Sequence, residues 1–254
     1  MSKNIIGVCH LCGTNGPLSF EHVPPKRAFN NKRVIKAKFQ EVIGLGPDAQ
    51  IKGQFQQKGA GGYTLCPKCN NDTGSWYGSN FVDWCYQGLD ILVRTGGNPS
   101  LIYINYLCPL RILKQIVTMF ASTCSYDFGK YHPELVRFVL DPKRMYLSPK
   151  YRFFVYYNIE GIFRCTGISA SLKIDSHKIT ALSEISFPPY GYVMTIDSDP
   201  PDVRLIEITH FSKYRYGDFV VAPLKLHVLP THLYFPGDYR TKDEIYRDRK
   251  RGLV

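Results

Sequence analysis

Apolar and polar positions divide the chain into stretches of different period. Between residues 75 and 145 apolar side chains recur at three- and four-residue intervals. Trp76, Tyr77, Phe81, Trp84 and Cys85 form one set, Leu110, Leu113, Val117 and Phe120 a second. After His132-Pro133 a third set follows: Leu135, Val136, Phe138 and Val139. A period near 3.6 predicts amphipathic helices whose apolar faces share a core. Beyond residue 150 the period shortens. Residues 151–157 are almost wholly aromatic or aliphatic, 158–161 have turn character, and 162–166 resume, which reads as a β-hairpin. Further strands are expected at 179–186, 190–197, 203–209 and 218–228, with turn-rich breaks such as 197–202.

Residues 1–74 keep neither period for long. A polar insertion runs from about residue 30 to 62; within it, 33–39 alternates as a short strand would, and the glycines of 59–62 read as a flexible turn into a strand at 63–65. Pro67 suits the first turn of a helix, where its missing N–H is not needed. Residues 240–251 carry six basic and three acidic side chains and read as a frayed, solvated tail. The expected class is therefore α+β: a module at 1–75, a helical connector at 76–145, and a C-terminal, mostly antiparallel β region at 146–254 suited to target recognition or regulation.

Composition changes this picture in two ways. No stretch approaches the roughly 20 apolar residues of a membrane span, and the first residues do not form a secretory signal, so a soluble, intracellular and cytoplasmic protein without a membrane partner is expected. The net charge of +11 favours a polyanionic partner. Ten Lys/Arg against four acids put +6 of it within residues 1–74.

The chemistry begins with Cys9-His-Leu-Cys12 and Cys66-Pro-Lys-Cys69. Two thiolates separated by two residues reach one ion, and four of them make a closed tetrahedral zinc site with no place for a reacting water. Zn²⁺ is thus expected as a structural cofactor held by Cys9, Cys12, Cys66 and Cys69; the set is complete without His10. Cys85, Cys108, Cys124 and Cys165 lie in apolar surroundings and read as small buried hydrophobes. Zinc joining the two knuckles brings Glu21 and His22, which follow the first, close to Asn70, which follows the second. A neutral imidazole can take a proton from water, and carboxylate and amide oxygens suit Mg²⁺ or Mn²⁺. Base, divalent ion and water together can hydrolyse a phosphodiester. Lys26, Arg27, Lys32 and Arg33 are candidate phosphate contacts. His132, His177, His210, His227 and His232 have no ligand partner at metal-binding spacing and read as structural or surface residues. The His-x-Glu and Pro-Cys-x-x-Cys of zinc deaminases are absent, as are phosphate-binding glycine fingerprints.

The order CxxC, then Glu-His-x-Pro-Pro-Lys at 21–26, then Leu-Cys-Pro-Lys-Cys-Asn at 65–70 with Gly74 beyond, resembles the HNH endonuclease superfamily with its ββα-metal finger, in the subgroup with a four-cysteine zinc. The resemblance covers about residues 5–75. It implies a catalytic His22, metal ligands Glu21 and Asn70, and cleavage of nucleic acid, with double-stranded DNA expected, in a prokaryotic or phage setting of restriction, defence or genome processing. One active centre cuts one strand, so a duplex break implies a homodimer or sequential nicks. The family's middle asparagine is missing from its usual place before the second knuckle, which leaves the group orienting His22 unassigned. The alternative is a non-catalytic zinc-ribbon protein that binds nucleic acid.

Overall fold

A computed structural model describes residues 5–42, 45, 48–50, 52–160, 163–173, 178–232 and 235–252. In chain order the elements are β1 (Ile5–Val8), β2 (Asn15–His22), β3 (Val34–Lys36), α1 (Phe39–Val42), β4 (Gln54–Gln56), β5 (Gly61–Leu65), α2 (Pro67–Arg94), β6 (Tyr103–Leu107), α3 (Pro109–Thr123), α4 (Phe128–Tyr131) and α5 (Pro133–Leu140). Then come β7 (Tyr151–Tyr157), β8 (Arg164–Lys173), β9 (Lys178–Phe187), β10 (Tyr190–Ile196), β11 (Ile206–Glu207), a 3-10 turn (Thr209–Lys213), β12 (Val220–Leu224) and α6 (Lys242–Lys250).

Helix α2 starts where sequence places it. Cys66 caps it by accepting the Cys69 N–H at 3.4 Å, and Pro67 fills the first helical position. Its buried stripe of Tyr77, Phe81, Trp84, Cys85 and Ile91 packs on α3, so the boundary expected near residue 75 falls inside one continuous helix. Helix α3 is buried on nearly every side. Its Lys114 is therefore held inside, donating to the carbonyls of Asp141 (2.5 Å) and Pro142 (3.0 Å) just beyond α5.

Against these helices lies an antiparallel sheet of order β11-β7-β10-β9-β8. Trp84 of α2 stacks on Tyr190 of β10 at 4.5 Å, and Phe120 of α3 meets Phe153 of β7 at 5.9 Å. One apolar core runs from Cys9 and Leu65 through both helices to Tyr192 and Met194. At the sheet's far side Arg164 and Glu184 form a buried ion pair (2.6 Å). Glu184 also accepts from Tyr156 (2.5 Å), from Tyr239 (3.2 Å) and from the Gly237 N–H (2.8 Å), which ties segment 235–239 to the sheet.

Several expectations are corrected. The β7–β8 hairpin does not form: β7 pairs with β10 and β11, while β8 pairs with β9. The burial explains it, because six of seven β7 residues are buried, which demands a central position, whereas β8 exposes residues 168–170 and suits an edge. Residues 161 and 162 of that expected hairpin lie outside the described residues, as does His177. Inside the expected helical stretch, 103–107 is a strand paired with β12, burying Asn105 and Leu107 while Ile104 and Tyr106 face out. The supposed tail is helix α6, closed by a capping box between Thr241 and Glu244 and anchored by buried Ile245. Cys85 and Cys124 are buried as expected, but Cys108 is half-buried and Cys165 exposed. No helix among the described residues is long and apolar enough to cross a membrane.

Candidate active site

The zinc-type knuckles come together. Strands β1 and β2 pair antiparallel, and the turn between them is closed by Cys9 N–H to Thr14 O (3.0 Å) and Gly13 N–H to Cys9 O (2.9 Å). The His10 N–H bonds Thr64 O at 2.9 Å and docks this turn on β5, next to the Cys66 cap of α2. The four Sγ atoms of Cys9, Cys12, Cys66 and Cys69 lie within 4.8 Å of one another, and Cys12 and Cys66 are 3.8 Å apart. A tetrahedral zinc with bonds of about 2.3 Å requires sulfurs about 3.8 Å apart, so these four residues fit such an ion. The Cys69 thiol and nearby backbone amides hold Cys9 below the usual thiol range, against the opposing effect of burial. His10 is committed elsewhere, bonding the Ala121 carbonyl of α3 through Nδ1 at 2.9 Å.

Beside the knuckles, β2 pairs with β5 so that His22 faces Gly61 and Glu21 faces Gly62. Gly61 and Gly62 thus belong to a strand and not to a flexible turn. A Cβ on Gly61 would lie 2.1 Å from the Glu21 carbonyl oxygen, and one on Gly59 (φ +92°) 2.4 Å from the Asn30 carbonyl oxygen. The glycines are there because the two backbones touch. Asn30, 1% exposed, fastens the same region: its Nδ2 donates to Pro24 O and Ala60 O, and its Oδ1 accepts the Ala60 N–H, all at 2.7 Å.

That clamp places the Lys58 carbonyl 3.0 Å from Nε2 of His22. A carbonyl only accepts, so Nε2 carries the hydrogen and Nδ1 keeps the lone pair in the neutral ring. Burial pulls the His22 pKa below its usual value; the Lys58 carbonyl opposes this, and the nearby Lys26 and Lys58 ammonium groups add to it. Asn70 donates from Nδ2 to Ser19 Oγ (3.0 Å) and Phe20 O (3.2 Å), and among the described residues nothing donates to its Oδ1. Glu21 is 7% exposed, and burial alone pushes its carboxyl up to about 8. Among the described residues no donor or cation pairs with that carboxylate.

Alternation along β2 sets Phe20 and His22 on one face, rings 4.9 Å apart, with Glu21 between them on the other. Because β2 ends at His22, one cavity of about 440 Å³ still touches all three, together with Asn70, Lys26 and Arg27. Arg27 and Lys32 also line a neighbouring cleft of about 600 Å³ beside Phe29 and Tyr86, whereas Arg33 is exposed and lines neither. Of the remaining histidines, His132 bonds the Tyr151 hydroxyl at 3.1 Å and His232 lies 3.7 Å from Glu160, consistent with structural roles.

Three groups of the site carry no clear sequence signature: the Asn30 clamp, the Lys58 carbonyl and Gln115, which lines the same cavity as Glu21 and His22. Asn30 sits unmarked in a polar insertion. Gln115 did leave a signal, as half of a Lys-Gln pair within the apolar run 112–117. Comparison with family models, with curated proteins and with solved structures gave no match.

Proposed function

We propose that this site belongs to a metal-dependent endonuclease of the HNH type that hydrolyses phosphodiester bonds in nucleic acid, with DNA as the expected substrate. One observation carries the reading: the Glu21 side chain is largely buried, with no partner among the described residues, in a cavity it shares with His22 and Asn70. A carboxylate removed from water is stable only when neutralised by a proton or a cation. A zinc-ribbon protein that merely binds nucleic acid has no use for such a group.

Mg²⁺ or Mn²⁺ held by Glu21 and the Asn70 Oδ1 would neutralise the scissile phosphate and the departing oxygen. The chain's own residues supply the rest. His22 takes the proton of the attacking water at Nδ1, and the Lys58 carbonyl keeps the ring in the required tautomer and steadies the charge the ring gains. Lys26 and Arg27, exposed at the cavity rim, draw in the phosphate backbone. The four-cysteine centre takes no part in the reaction, having no open position, and holds β2 against α2.

The test is incubation of supercoiled plasmid with the protein and Mg²⁺ or Mn²⁺, comparing wild type with His22→Ala. Cutting by wild type alone is expected. Uncut plasmid with both proteins would remove the DNase reading, and equal cutting by both would remove His22 as the base.

A further inference from the structure

Helix α3 buries two consecutive polar side chains, and a polar group inside a protein needs a partner. Lys114 has two carbonyls. Gln115 has nothing: it is 2% exposed, its Oε1 is buried without a hydrogen-bond partner, and no hydrogen bond among the described residues engages its Nε2. This amide lines the cavity that holds Glu21, His22 and Asn70.

The wall between them is made of small residues. Asn70, Gly74 and Gly78 follow one another at four-residue spacing on one face of α2, a run of about 12 Å. A Cβ on Gly78 would stand 3.9 Å from the Gln115 Oε1, an ordinary contact distance, so the amide lies directly behind this face of α2. Charge is segregated along this groove: Lys26 and Arg27 lie exposed at the rim, while Val82 and Gly78 surround the inner end. A phosphate at the inner end would have no counter-charge there, so the amide suits the neutral part of a nucleotide.

Resting on the nuclease reading above, we infer that Gln115 reads the edge of a nucleobase adjoining the scissile phosphate. Its amide offers a donor and an acceptor side by side, the complement of adenine N6 and N7. The amide is recessed in a cavity and does not project as a groove-reading helix would. The base must therefore leave the stack to reach it, either as single strand or by flipping.

The experiment measures fluorescence anisotropy of single-stranded oligonucleotides that carry one adenine scanned along a thymine background, in the His22→Ala protein with Mg²⁺. Adenine at one position should tighten binding by about tenfold or more. Adding Gln115→Met should abolish that preference and raise Tm by a few degrees, because the unpaired amide is gone. A purely structural glutamine would not give greater stability together with lost selectivity. A preference for a different base that Gln115→Met abolishes still supports the inference. Survival of the preference in Gln115→Met overturns it, as does the absence of any base preference, the result if the amide meets only water. Absence of base preference, or of any single-strand binding, removes this inference alone when wild type still cuts plasmid; uncut plasmid removes the nuclease reading and this inference with it.

Discussion

Replacing Asn30 with alanine should unfasten the loop after His22 from the strand that backs it. Two buried groups lose their partners, the Pro24 carbonyl and the Ala60 N–H; the Ala60 carbonyl keeps the Val23 N–H at 3.1 Å. Each orphaned group costs about 1–3 kcal/mol, so the loss is about 2–6 kcal/mol, a large share of the 5–15 kcal/mol typical of a folded protein. Urea unfolding followed by fluorescence of buried Trp84 measures it as a lower midpoint at unchanged slope. Asn30→Asp separates the contributions: it keeps the acceptor for Ala60 N–H but turns a carboxylate oxygen toward two carbonyls. Its folded-state pKa is raised above the unfolded value of about 3.9, so stability is greatest below that value and is lost as pH rises through the folded pKa. If Asn30→Ala stays within about 0.5 kcal/mol of wild type, the clamp does not hold the loop as reasoned.

Four further outcomes are expected. Elemental analysis should find about one zinc per chain, retained in His22→Ala and lost in Cys66→Ser; zinc-free wild type would remove the scaffold argument. At saturating Mg²⁺, where Glu21 is held ionised by the metal, the pH–rate profile should bend downward below about pH 6.5, because burial depresses His22 and keeps it neutral at higher pH; a midpoint above 7 contradicts that. Glu184→Ala strands the buried Arg164 guanidinium and should cost about 3–5 kcal/mol in chemical denaturation, against little change if the pair were dispensable. Gly61→Ala should abolish cleavage while zinc remains bound, since the added methyl collides with the Glu21 backbone; unaltered cleavage would show that the strands can part without consequence.

What sequence revealed and what it hid follow from range. The cysteine spacing, the Glu21-His22 pair and Asn70 were readable because each chemical unit lies within a few residues, and the knuckles themselves state which distant parts meet. Asn30 was not readable, because an asparagine in a polar loop looks solvated until Ala60, thirty residues on, closes over it. The glycines of 59–62 read as slack in the sequence but mark tight contact in the structure; composition does not separate freedom from crowding. Helix periodicity located α2, α3 and α5 correctly. Adjacency in sequence suggests a hairpin for β7, while the burial of both strand faces, a property of the finished core, places β7 in the middle of the sheet. Helix α6 is hidden in the sequence because nine mostly charged residues carry almost no hydrophobic signal, and its hold depends on one buried isoleucine and a cap.

Helix α2 begins at a cysteine of the candidate zinc cluster, carries Asn70 one turn later, and packs Trp84 among the aromatics of the sheet in its second half. One wall of the candidate site, with Asn70, therefore belongs to the same helix that packs into the body of the protein. Excised, the finger would leave Tyr77, Phe81 and Trp84 uncovered, so it is not a cassette that can be moved to another host as a working unit. For the same reason heat should extinguish cutting and melt the body in a single transition, leaving no temperature at which one survives the other.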